Sequence, residues 1–312
     1  WALRRSFLAS ILAGCIFGFG GYVGNVDWPQ MINGAIWSPL VFLFLLRETV
    51  YSAALAGFFL GLCWLSGHHQ APIFITYAAG GLWLWILWRR RQAALPALAV
   101  FGAFFFATAA LQLLPAFDYG QSAKRWVGAP EPVGWNVKVP YHVHGEFSMR
   151  PWMILGLILP NLADLYKGFI GVTAFALAAL AAFTARQTAR VFLAIGTFGF
   201  FIALGYTTPV HGWLYAWAPM FEKARSPAAA VCLTSLAFAV LAAYGLDHLR
   251  QATAPVLGRL IQVLTGAGTL IVAVFTVAGV MRGRDLIGDD RPLLTALVML
   301  AAAALFHAAR HR

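Results

Sequence analysis

Four short stretches of this sequence carry residue types and spacings that can do chemistry. The first is Gln112-x-x-Pro115-x-x-Asp118, followed by Ser122 and Arg125. An amide and a carboxylate at the end of an apolar run are worth explaining, because polar groups at membrane depth mark function more often than packing. Asp118 there is a candidate base, metal ligand or cation site, and the bland alternative is an interfacial helix end with an Asp–Arg pair. The second is Tyr141-His142-Val143-His144-Gly145-Glu146. In an extended backbone, His142, His144 and Glu146 share one side. Imidazole plus carboxylate suits zinc or manganese, so a divalent metal is the cofactor this pattern admits; a solvated loop is the plain reading. The third is Phe221-Glu222-Lys223-Ala224-Arg225-Ser226-Pro227, just ahead of a long apolar run. A helix opening at Pro227 offers free N–H groups. With Lys223 and Arg225 beside it, it suits a phosphate or pyrophosphate. Interfacial snorkelling of the basic side chains explains the same residues equally well. The fourth is Gly67-His68-His69-Gln70, a polar turn between two apolar runs, where His69 and Gln70 can line a pocket mouth. Asp27, in Asn25-Val26-Asp27-Trp28-Pro29, is a further outward acid that reads first as a capping or turn residue, with a catalytic role as the alternative.

The elements that must position these residues are hydrocarbon-like. The chain has 312 residues, 61% of them hydrophobic and 11% charged, against about 25% charged in a soluble domain. The expected fold is therefore all-α: a polytopic transmembrane helix bundle forming one transmembrane domain over 1–312. A spanning helix needs about 20 apolar residues. The expected spans are 6–24, 33–46, 50–67, 71–88, 94–116, 168–185, 190–206, 227–246, 256–280 and 292–309. The run from Pro151 to Leu162 is too short to cross and reads as a re-entrant or interfacial helix within a long loop, 117–167. Gly14 with Gly18, and Gly57 with Gly61, stand at the spacing that lets helices approach closely. Cys15, Cys63 and Cys232 sit inside apolar runs and read as packing residues.

Alternation of sides sorts the charge. With Arg4 and Arg5 inside, the inside connections also hold Arg47, Arg89, Arg90, Arg91, Arg186, Arg190, Arg250, Arg259, Arg310 and Arg312, which makes 12 of the 22 basic residues in short loops. Loops 117–167, 206–226 and 281–291 and the His68–Gln70 turn then face outward. The net charge of +11 is thus accounted for by cytoplasmic loops against anionic lipid. No soluble basic domain exists to bind nucleic acid. Nor is there a nucleotide-binding Gly loop after a strand, an HExxH pair or a serine nucleophile elbow.

Taken in order, the motifs resemble the YfhO-like family of bacterial multi-pass proteins, which belongs with the GT-C membrane glycosyltransferases. Trp37-Ser38-Pro39-Leu40 is similar to the family's span start, and Ser66-Gly67-His68-His69-Gln70 to its Gly-His-Pro-Gln turn, with His69 in place of proline. Gln112-Leu113-Leu114-Pro115 with Asp118, Ser122 and Arg125 resembles its Gln-Leu-Leu-Pro segment. Phe147-Ser148, Pro151 and Leu159-Pro160 resemble its return to the membrane. Gly205 to Pro209, and Phe221 through Asp247, resemble its closing block; Ala229 stands where the family carries a second arginine. The resemblance covers about residues 20 to 250. It implies a polyprenyl-phosphate-linked sugar donor, used on the outer face of the bacterial cytoplasmic membrane. It places Arg225, Lys223, Arg150, Arg125, Gln112, His69 and Gln70 around the donor, with Asp118 as the best carboxylate in the sequence. It also implies that the family's catalytic acid, in a first external loop, lies upstream, so that the sequence is an N-terminally truncated fragment. A lipid or polysaccharide transporter or flippase, a surface-polysaccharide ligase or polymerase, and a membrane scaffold are the competing expectations.

Overall fold

The computed structural model describes residues 3–159, 168–183, 187–249, 254–282 and 291–310. Pro160, Arg186, Arg250, Arg312 and most of the 281–291 loop lie outside them. Among the described residues the chain is helical, with no strand and one isolated bridge, Arg125 to Val133. The helices are α1 Phe7–Phe19, α2 Gly21–Asn25, α3 Pro29–Ile36, α4 Ser38–Leu45, α5 Val50–Trp64, α6 Gln70–Arg90, α7 Leu95–Ser122, α8 Tyr141–Glu146, α9 Val172–Phe183, α10 Gln187–Ala203, α11 Pro209–Trp217, α12 Val231–His248, α13 Ala254–Arg282 and α14 Arg291–Arg310.

Local chemistry explains where many of them start. Ser6 caps α1 by accepting from the Ala9 N–H. Thr49 and Ser52 form a reciprocal capping box at α5. Proline occupies the first turn of α3, α4, α7 and α11. The expected spans map onto these helices with two breaks. The first run divides at Gly20 and the second at Trp37. Four helical stretches are long and apolar enough to cross a membrane: Phe7–Asn25, Gln70–Ser122, Pro227–His248 and Pro255–Val277. Further apolar helices, such as Val50–Trp64 and Gln187–Ala203, are shorter. These apolar helices are compatible with a multi-pass membrane protein.

Helix α12 is the axis of the bundle. It is buried on nearly every face, with Val231, Leu233, Leu236, Leu241 and Tyr244 all in the core. It packs against α1, α9 and α10. An added Cβ at Gly245 would collide with the Leu177 carbonyl of α9. Helices α5 and α7 form the other tight pair, and here Gly57 and Gly61 do what their spacing predicts. A Cβ at Gly57 would run into the Phe101 carbonyl, and one at Gly61 into Thr108. Gly14 and Gly18 have open space instead, so the same spacing on α1 makes no close contact among the described residues.

The two ends of the bundle differ in charge. At one end Glu48 pairs with Arg89 at 3.1 Å and Arg90 at 2.6 Å. Asp247, at the end of α12, pairs with Arg5 at 3.4 Å and accepts from the Ser6 N–H. Because α5 and α6 run antiparallel, the His68–Gln70 turn lies at the other end, beside the approach to α12. The loop expected from 117 begins later. Helix α7 continues through Pro115 to Ser122; a proline removes one hydrogen bond and need not end a helix that neighbours support. Pro151–Leu157 is a 3-10 helix with Pro151 in its first turn.

Candidate functional site

The turn between α5 and α6 is built by Ser66 and Gly67. The Ser66 hydroxyl donates to the His68 carbonyl at 3.1 Å and accepts from the His68 N–H at 3.3 Å. Gly67 takes φ +76°, a conformation that glycine adopts without penalty. His68 and His69 therefore leave the turn side by side, with their rings stacked at 5.7 Å. His69 Nε2 is 2.9 Å from the Lys223 carbonyl oxygen. Burial pushes the His69 imidazole down to about 4, against that hydrogen bond. Burial also lowers His68, helped by the positive charges of Arg125 and Arg225. Both rings are neutral at pH 7. His68 Nδ1 is buried without a hydrogen-bond partner, and its ring meets the edge of Trp28 at 6.3 Å.

The approach to α12 supplies the second wall. A 3-10 turn, Phe221–Lys223, follows Met220 at φ +62°. Phe221 is fully buried against Phe74 and Tyr77 of α6, which fixes the turn beside the histidines. Lys223 then points into the loop after α7. Its ammonium donates to the carbonyls of Trp135 at 2.6 Å and Val137 at 2.9 Å, with Glu222 at 3.7 Å. Arg225 lies over the Phe147 ring at 5.0 Å, and the Ala228 N–H donates to the Phe147 carbonyl at 3.1 Å. Arg125 is held by reciprocal backbone bonds with Val133. Desolvation, and then Arg225, hold its guanidinium below its ordinary value. The two guanidiniums therefore sense each other.

These walls enclose a cavity of about 770 Å³. Its polar lining includes Asp27, His68, His69, Gln70, Arg125, Lys223 and Arg225, set among Trp28, Trp135 and Phe147. The sequence-predicted residues His69, Gln70, Arg125, Lys223 and Arg225 thus converge from three separate segments. Asp118, Gln112 and Arg150 are not on the lining. Asp118 is exposed on α7, while Ala116, Tyr119 and Gly120 of the same helix face the cavity. Asp27, predicted as a turn residue, is the lining carboxylate among the described residues. Its signal in the sequence was its neighbour Trp28, in a loop that shares an end of the bundle with the His68 turn.

The metal face expected at His142, His144 and Glu146 does not form. The segment is helical, not extended, and residues two apart on a helix point to different sides. His142 and Glu146 are at the surface, whereas His144 is fully buried. His144 packs against His211 at 5.1 Å and between Tyr141 and Tyr215. Burial is the first cause of the low values of both imidazoles, about 4 for His144 and about 3 for His211. Among the described residues no group of three His, Cys, Asp or Glu is arranged to hold a metal ion. Three cations and one carboxylate on the cavity lining also set a field that disfavours a divalent cation and favours an anion.

Comparison with known proteins gives no match: no family model, no curated protein and no solved structure is significantly similar to the chain.

Proposed function

We propose that the chain is a membrane glycosyltransferase of GT-C type, similar to the YfhO-like proteins, that takes a polyprenyl-phosphate sugar and seats the donor's phosphate in the cavity. The observation that carries this reading is the pair Arg125 and Arg225, two guanidiniums on the lining of one aromatic-lined space with a single carboxylate among the described residues. Like charges held together across a cavity are costly unless an anion joins them. In the reaction, the bond between the sugar's anomeric carbon and the phosphate oxygen breaks. The oxygen keeps the electron pair, and the guanidiniums stabilise the charge that develops there. The acceptor hydroxyl forms the new bond to the anomeric carbon and gives up its proton. Asp27 is the lining carboxylate available to accept it. The neutral His68 and His69 rings offer hydrogen bonds without adding charge, and Trp28 and Trp135 offer flat faces for a sugar ring. In this reading about ten segments span the bilayer, with the cavity end on the outer face of the bacterial cytoplasmic membrane. The basic set at the opposite end, Arg5, Arg89 and Arg90, supports that orientation.

The test is binding of farnesyl phosphate and farnesol to the detergent-purified chain, followed by sugar transfer from a radiolabelled polyprenyl-phosphate sugar. Arg125→Gln and Arg225→Gln are each expected to remove most of the preference for phosphate over alcohol and to slow transfer by about 10²-fold. Equal preference for phosphate in wild type and both variants overturns the reading. A second reading, a surface-polysaccharide ligase or polymerase, is favoured by the two histidines beside the two arginines. It predicts that Asp27→Asn is active and His68→Gln is not; the glycosyltransferase reading predicts loss with Asp27→Asn.

A further inference from the structure

A second cavity, of about 530 Å³, lies between α6 and α10. Ala78, Gly81, Leu82, Val191, Ala194 and Ile195 make its walls apolar, and Arg190 with Gln187 marks one end. From Gln187 to Phe198 it follows α10 for about 17 Å at the helical rise. That is close to one leaflet of a hydrocarbon core about 30 Å thick. Tyr77 closes the other end. Its hydroxyl donates to the Pro219 carbonyl at 2.6 Å and its ring meets the edge of Phe221 at 5.7 Å. Tyr77 lines this groove and not the cavity that holds Arg125 and Arg225.

Charge decides what fits. At this end of the bundle Arg5 pairs with Asp247, and Arg89 and Arg90 share Glu48. Arg190 is exposed and pairs with no carboxylate among the described residues. Trp85 lines the groove beside it, with Arg89 over the indole at 4.5 Å, as interfacial aromatic residues do. The groove also has room, since a Cβ at Gly81 would meet nothing within 4 Å. We infer that this groove is a specific site for an anionic phospholipid, with one acyl chain in the slot between α6 and α10 and the phosphate at Arg190. The length of one leaflet, Tyr77 at the far end and Arg190 on the lining at the near end together select such a lipid over a long polyprenyl chain. The inference rests on the membrane bundle and is independent of sugar transfer.

The experiment is native mass spectrometry of the full chain in dodecyl maltoside, titrated with dioleoylphosphatidylglycerol or dioleoylphosphatidylcholine. Wild type is expected to retain phosphatidylglycerol in preference. Arg190→Gln is expected to reduce that preference about five-fold. Gly81→Leu, at an exposed helical position with open space, fills the slot and is expected to remove the retained lipid. Arg259→Gln, an exposed basic residue on α13, leaves the preference unchanged. The inference is overturned by a wild type that holds both lipids equally, by a preference that survives Arg190→Gln, by lipid retention in Gly81→Leu, or by an equal loss in Arg259→Gln.

Discussion

Lys223→Met tests how the wall of the cavity is held. Lys223 resembles a phosphate ligand in sequence, yet its ammonium is committed to the carbonyls of Trp135 and Val137. It also lies 3.7 Å from Glu222, with 9% of its side chain exposed. Hydrogen bonds to a charged group contribute roughly 1.5–3 kcal/mol each. Two at the lower figure make about 3 kcal/mol for pinning the 123–140 loop. Methionine keeps the apolar stem and removes the ammonium, its donors and its charge beside Glu222. The rest of that loop is held by the small cluster of Val127, Val139 and Val143, the Arg125–Val133 bridge, Lys138 donating to the Tyr215 and Ala216 carbonyls, the Tyr215 hydroxyl donating to the Val139 carbonyl, and Trp135 against Phe117. The loss is therefore local, and the helices keep their packing. At tenfold per 1.4 kcal/mol, the opened loop becomes about 10²-fold more populated. Trypsin cleavage after Lys124 and Arg125 reports this directly, because cleavage of a transiently open segment follows its population. The expected result is cleavage about 10²-fold faster with an unchanged melting temperature of the bundle. A rate within threefold of wild type refutes the pinning role, and a global loss of helicity refutes its local character.

Gly57→Ala places a methyl against the Phe101 carbonyl and is expected to destabilise the chain by about 1–3 kcal/mol. Gly14→Ala, with open space around it, is expected to be neutral or slightly stabilising; thermal unfolding in detergent compares the two. The melting temperature is expected to fall as pH drops from 6.5 toward 4. His69 and His144 move from 6.5 to about 4, and His211 to about 3, so the unfolded chain takes up protons that the folded chain refuses. His211→Phe is expected to flatten that slope, and an unchanged slope counts against buried, neutral His211. For orientation, Lys124→Cys is expected to react with an impermeant maleimide in intact cells and Arg47→Cys only after lysis; the reverse pattern overturns the outward cavity.

The helices were legible because apolar run length is a strong signal and capping residues mark the starts. Ser6, Thr49 and the first-turn prolines sit where the structure uses them. The interruptions at Gly20 and Trp37 were not legible, since composition is apolar on both sides of each. Glycine spacing was half informative. Gly57 and Gly61 face α7 while Gly14 and Gly18 face open space, and a spacing motif has no knowledge of its partner. The histidine pattern at 142–146 misled because period two was assumed where the backbone takes a helical period. Burial then separated His144 from its neighbours.

The carboxylate is the instructive case. Asp118 stands in the more suggestive motif, at a helix end after Gln112 and Pro115. Had Pro115 ended α7, the chain beyond it would have been free to turn Asp118 inward. Instead the helix runs on to Ser122, which fixes the angular position of every residue on it. With 3.6 residues per turn, Ala116, Tyr119 and Gly120 share the face toward the cavity. Asp118, about 200° around the helix from Ala116 at 3.6 residues per turn, is carried to the outside. The carboxylate on the cavity is Asp27, delivered by the short loop between α2 and α3. Which acid lines the cavity with the two arginines is thus decided by the continuity of one helix, and the motif around Asp118 does not encode it. Asp118→Asn is therefore expected to leave farnesyl phosphate binding and transfer near wild type, while Asp27→Asn abolishes transfer. Loss of transfer in Asp118→Asn, with the phosphate still bound, would return the catalytic role to α7 and refute the face assignment.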